Sequence, residues 1–216
     1  MTHADLIEKF SGELPGENSH LAFMPLRGSS KVQIQQDVTY RDSAVAVILF
    51  HNEKNTLSTI VTQRQQYEGS HSGQISFPGG KKEADDPNLV HTAIRECFEE
   101  IGIDAGSFEL LKELTPLFVP VSKFLVTPFV FYSTQKSFQY NRSEREVAEI
   151  YELDLLALYE PESVVQLNIS LNKEFIMQNV PHFKQGNILI WGATALILNE
   201  LKDILTEEPG KSKRGA

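Results

Sequence analysis

The 216-residue chain has one cysteine, Cys97, and one tryptophan, Trp191. A single thiol excludes an internal disulfide framework and a four-cysteine zinc site, and it fits a reducing compartment, the cytoplasm. Positive charge is also scarce. Lys and Arg number 20 against 29 Asp and Glu, a formal net charge of -9, so no global basic field exists to hold a polyanionic duplex. Nucleic acid is not expected as a partner. Long apolar runs are missing as well: Ala44 to Phe50 and Trp191 to Leu198 fall far short of the ~20 residues that cross a bilayer, and no basic-then-apolar leader opens the chain. A soluble chain without a membrane partner is expected. What is present is enough apolar material, 41% of residues, to bury a full core in one domain with decorated ends.

Local patterns mark the elements. Leu6, Ile7 and Phe10 sit at helical spacing within Ala4 to Phe10, and Gly12, Pro15 and Gly16 end that leader helix. Ser43 to Phe50 and Leu57 to Arg64 are rich in β-branched residues across a polar stretch, His51 to Thr56, and read as a hairpin. A short strand, Gln74 to Phe77, lies in a Gly-, Ser- and Pro-rich stretch before a long helix from Pro87. Strands are expected again at Glu109 to Val119 and Leu125 to Tyr132. The acidic and aliphatic segment Ser143 to Tyr159 is expected to be helical in part. A buried strand, Ile188 to Trp191, leads through Gly192 into a helix with Ala193, Leu196, Ile197, Leu201 and Ile204 on one side. The mixture implies an α/β fold, a sheet with helices on its faces. The expected organisation is an N-terminal helix and extension over 1–40, the main domain over 41–206, and a disordered tail over 207–216.

The helix after Pro87 breaks local rules. Asp86 is expected as its N-cap, and Gly102 is placed to close it in a left-handed conformation. Val90, Ala93, Ile94, Cys97 and Ile101 recur at three- and four-residue steps as a buried stripe, which makes Cys97 a core residue and not a nucleophile. On the other side Glu96 and Glu100 stand one turn apart, with Glu99 beside them. Like charges at that spacing repel by roughly 0.2–0.5 kcal/mol. The negative end of the helix dipole costs each about 0.3–1 kcal/mol more. A solvated surface face would also carry acids. Their company, a glycine-rich turn and the adjacent Arg95, points instead to a site. A divalent cation removes the penalty, and hard oxygen ligands select magnesium or manganese.

These residues resemble the Nudix signature: Gly80, Asp86, Arg95, Glu96, Cys97, Glu99, Glu100, Gly102 and Ile103, with Asp86 in place of the usual Glu and one extra residue before Arg95. A preceding run, Ile60-Val61-Thr62-Gln63-Arg64, then His71 to Gln74 and Phe77-Pro78-Gly79-Gly80, is similar to the coenzyme A diphosphatase branch of that family. Similarity to the branch extends through Val126 to Phe129, Glu146-Val147 and Ile190 to Gly192. The branch usually has Ser after the first arginine and a second Arg four residues beyond, where this chain has Gln65 and Gly69.

The resemblance implies an α/β/α sandwich with a mixed β-sheet between helices, and hydrolysis of a diphosphate linkage with Mg2+ or Mn2+. It implies that Glu96 and Glu100 hold metal, that Glu99 ligates a further ion or accepts a proton, that the main chain at Gly80 completes the sphere, and that Arg95 braces a carboxylate. A further acid from outside the box, Glu146 or Glu149, is expected as base or ligand. Arg64, His71, Gln74 and Gly79 are candidates for substrate binding. Trp191 is expected in the core and Phe77 as a loop anchor. The substrate implied is coenzyme A or a derivative, acted on by a monomer or a homodimer. The alternatives are another nucleoside diphosphate derivative, ADP-ribose-like or an altered nucleotide, or a non-catalytic ligand sensor on the same fold.

Overall fold

The computed structural model describes residues 1–24, 39–66, 73–170 and 176–206. The expected tail, 207–216, and the candidate His71 lie outside the described residues.

Strand β1, Arg41–His51, organises the molecule. It pairs antiparallel with β2, Leu57–Arg64, in the expected hairpin, with Leu49 opposite Thr59. On its other edge it runs parallel to β7, Phe124–Ser133, along its whole length, from Arg41 opposite Phe124 to Phe50 opposite Ser133. Antiparallel and parallel neighbours make the sheet mixed. Strand side chains alternate between faces, so β1 feeds two cores. Val47 and Leu49 join one, while Ala44, Ala46, Ile48 and Phe50 join the other. That is why this segment is apolar almost without interruption.

The sheet has eight strands: a short β3, Ile75–Ser76, then β2, β1, β7 and β5, Glu109–Glu113, follow one another, with three more pairing off that path. The expected strands at 109–119 are two, β5 Glu109–Glu113 and β6 Leu117–Val119. Pro116, which has no amide proton, stands in the break. One face carries helix α3, Leu89–Ile101, and the second core. The other carries α1, His3–Ser11, α2, Glu17–His20, and α5, Gly192–Thr206, over the first. Helices on both faces of a mixed sheet are the α/β/α sandwich that was expected. Leu6, Phe10 and Phe23 are buried in the same core as Leu196, Ile197 and Leu201, so the leader packs into the body of the domain.

Three expectations need correction. The segment 143–159 is helical in part as expected, at α4, Leu155–Leu158, but its longer element is a strand that was not expected, β8, Val147–Asp154, which pairs with β2. Its glutamates suggested a helix, but the segment forms a ladder with β2 from Asp154 opposite Ser58 to Val147 opposite Arg64, and Leu153 is buried while the adjacent Glu152 faces solvent, as in a strand. Second, β11, Ile188–Ile190, is an edge strand with only Ile190 fully buried, and Trp191 is half-buried, its ring 6.2 Å from that of His182. Third, β11 belongs to a separate three-stranded sheet with β9, Val164–Ser170, and β10, Ile176–Gln185, which the sequence pattern did not reveal. Pro181 inside β10 argues against a strand when read locally. Among the described residues no helix is long and apolar enough to cross a membrane.

Candidate active site

The site forms where the chain leaves β2. A short β3, Ile75–Ser76, pairs with β2. Phe77, 2% exposed, anchors the loop in the core. Then β4, Gly79–Lys81, pairs with the start of β1, Gly80 opposite Ala44 and Gly79 opposite Val45. Both glycines are required by close approach. A Cβ at Gly79 would collide with the Ala44 carbonyl and the Val45 backbone, and one at Gly80 would run into the Glu96 carboxylate. The Gly80 main chain and the Glu96 carboxylate therefore lie against each other.

The N-cap of α3 is Asn88, whose side chain accepts from the His91 amide at 3.0 Å, and not Asp86. Asp86 is occupied elsewhere. Its two oxygens take Arg95 Nε and Nη2, each at 2.9 Å, and it also accepts from Thr92 Oγ1 and the Glu83 amide. This fork fixes the guanidinium, which reaches Glu96 and Glu99 through Nη1, each at 3.0 Å, and the Lys81 carbonyl. Hydrogen bonds from Arg95 hold the Asp86 carboxyl well below the usual carboxylate range, against its burial. The brace expected of Arg95 is present and reaches two glutamates at once.

The buried stripe is as expected at Ala93, Cys97 and Ile101, each 0% exposed. Burial pushes the Cys97 thiol far up, so it is inert at neutral pH. The acids differ from one another. Glu99 is exposed, Glu96 half-buried, and Glu100 only 3% exposed. Glu100 accepts from the Gly79 amide at 3.3 Å and lies 3.8 Å from Arg64 Nη1. Burial pushes its carboxyl up to about 8, with Arg64 and the Gly79 amide opposing and the charges of Glu96 and Glu146 adding to the rise. Burial also raises Glu96, with Glu99 and Glu146 contributing. The spacing alone does not distinguish a surface carboxylate from this buried one.

Gly102, at φ 76°, closes the helix as expected. Beyond it the chain returns over the helix end. The Asn141 amide donates to the Ile101 carbonyl and the Ser143 amide to the Glu100 carbonyl, each at 2.9 Å. Glu146 follows, exposed, and its charge is felt at both Glu96 and Glu100. Glu149 sits one bulge further along β8, opposite Gln63. Of the two acids expected from outside the box, Glu146 is the one whose charge adds to the rise at Glu96 and Glu100. Gln74 is half-buried, and its carbonyl accepts from the Arg64 amide at 3.0 Å, which holds the two substrate candidates side by side.

Among the described residues no three His, Cys, Asp or Glu side chains converge closely enough to cage an ion as they stand. The positive charge beside the glutamates comes from Arg95 and Arg64. The donors gathered here are all oxygen, and the Glu96 carboxylate rests where a Cβ at Gly80 would otherwise stand. Both features fit a hard divalent cation. A shallow cavity lined by His3, His51, Tyr132 and Lys136 lies at the opposite end of β1 and β7, away from these acids.

The NUDIX domain family matches residues 40–174. The uncharacterized Nudix hydrolase NudL of Yersinia pestis (strain Pestoides F) is 33% identical over 164 residues, which span 76% of this chain and 79% of that protein. Among solved structures, RenU, a Nudix hydrolase from M. smegmatis, superposes with a TM-score of 0.52 at 10% identity, over 76% of this chain and 84% of its own. A MutT/nudix family protein from Enterococcus faecalis gives 0.51 at 12% identity, over 95% of this chain and 75% of its own. At such identities these two likenesses speak for the fold.

Proposed function

The chain belongs to the Nudix hydrolase family, and on that premise we propose that it cleaves the diphosphate linkage of coenzyme A or its derivatives, giving adenosine 3',5'-bisphosphate and (acyl) 4'-phosphopantetheine. As a Nudix hydrolase it acts on phosphoanhydride bonds of nucleoside diphosphate derivatives with a divalent metal ion. The observation that carries the finer reading is the 3.8 Å approach of Arg64 to Glu100. It joins the run ending at Arg64 to the acidic helix, so that the two motifs serve one site.

Glu96, Glu100 and Glu99, with the main chain at Gly80, would hold Mg2+ or Mn2+. Such an ion neutralises the charge of a diphosphate and acidifies water. The chain's own groups do the rest. Asp86 fixes Arg95, which keeps Glu96 and Glu99 turned toward the loop. Glu146 takes the proton of the attacking water. With a cation bound at the glutamates, Arg64 would be free to pair with a phosphate oxygen, with Gln74 beside it as a further substrate contact; Gly79 and His71 complete the set that the resemblance implies.

Incubation with coenzyme A and Mg2+ tests the substrate: adenosine 3',5'-bisphosphate should appear, and cleavage of ADP-ribose alone would sink the reading. A specific observation favours that second outcome. Gly69 stands where the branch has a cation suited to an additional phosphate.

A further inference from the structure

We propose that Gln65 is a positioning residue, a latch that ties segment 144–147 to the end of β2 and thereby presents Glu146 to the glutamates of α3. The inference rests on the role given to Glu146 above. The Gln65 amide donates to the Glu146 carbonyl at 2.8 Å. Its side-chain amide donates to the Glu144 carbonyl at 2.8 Å and to the Val147 carbonyl at 3.4 Å. One residue thus grips three successive points around Glu146, using both side-chain donors and its own backbone.

The grip matters because no other described residue holds the side chain. Among the described residues the Glu146 carboxylate makes no hydrogen bond or ion pair, so its direction is set by the main chain that carries it. That main chain is in an irregular stretch. In the β2–β8 ladder Gln63 faces Glu149 but Arg64 faces Val147, so Ala148 is an extra residue, and such a bulge re-aims the side chains beyond it. On the far side, Glu146 donates its amide to Ser143, which in turn donates to the Glu100 carbonyl at 2.9 Å. Gln65 closes this bridge from α3 back to β2, next to Arg64. The position is also the one where the chain departs from the branch pattern. A serine there is too short to span the two carbonyls.

The test is a four-protein cycle of wild type, Gln65→Ala, Glu146→Gln and the double variant, assayed with Mg2+ on coenzyme A or ADP-ribose, whichever the wild type hydrolyses. Amide hydrogen exchange of residues 143–147 is followed in parallel. Gln65→Ala should lower kcat about 10²-fold with KM little changed, and speed exchange in that segment while α3 stays protected. In the Glu146→Gln background it should cost nothing further. Losses that multiply, or a Gln65→Ala protein with unchanged kcat, overturn the latch and leave the reading of Glu146 intact. Full activity in Glu146→Gln removes both.

Discussion

Glu100 is a carboxylate buried at 3% exposure that meets, among the described residues, a guanidinium 3.8 Å away and the Gly79 amide. An unfolded glutamate releases its proton near 4.5, while here the proton is kept up to about 8. Between those values the folded protein binds more protons than the unfolded chain. Stability of the metal-free protein is therefore full below 4.5 and drains away as pH rises through about 8. The thermal midpoint without metal should fall across this window more steeply in wild type than in Glu100→Gln, where the raised Glu96 remains; equal slopes would refute the buried charge. The same variant should abolish metal-dependent turnover while remaining folded. Gly80→Ala forces a methyl group against the Glu96 carboxylate. It should blunt the rise in midpoint that Mg2+ gives wild type, a rise expected of any ligand of the native state. Arg95 differs from Arg64 in being fixed on every side. Arg95→Lys cannot reproduce the fork to Asp86, and a loss of about 2 kcal/mol in chemical denaturation, together with a loss of kcat, is expected. At this scale the sequence was informative about residue type. Repelling acids at the wrong helix end and an adjacent arginine announce a site, but nothing in their spacing announces that Glu100 is buried and Glu99 exposed. Those depend on which strand the helix lies against. Gln65 gave no local signal, because its partners are 79 and 82 residues away.

Among elements, α3 is defined by its ends. Asn88 caps the first turn and Gly102 the last. Asn88→Ala should cost about 1 kcal/mol with kcat unchanged, measured by urea denaturation and steady-state assay; a fall in kcat would mean that the cap also serves the chemistry. The hairpin β1–β2, the leader α1 and the closing helix α5 were legible because their apolar periods persist over several turns or pleats. The elements that escaped were those whose local composition opposes their tertiary role. Glutamates line β8, and a proline interrupts β10. Asp86 is an instructive case: as an acid ahead of a helix it has the look of a cap, yet its two oxygens are claimed by Arg95 from nine residues on.

For the whole molecule, the deciding contact lies between its two ends. Glu200, 0% exposed, accepts from Thr115 Oγ1 at 2.6 Å, from the Thr115 amide, and from His20 Nε2 at 3.2 Å, so α5, the main sheet and α2 meet at one buried carboxylate. Removing it strands its partners. Glu200→Ala should lower stability by about 3 kcal/mol and expose the leader to limited proteolysis, without altering kcat of the folded fraction; a purely local effect would leave the leader protected.

That clasp joins residues 180 apart in sequence. During synthesis Leu6, Phe10 and Phe23 emerge before the sheet and α5, both of which line the core that buries them. Until those elements follow, the leader's apolar side chains stand without that cover. Docking α5 against them is what closes the core, and that long-range step is the one at which newly made protein is most open to aggregation or to capture by chaperones.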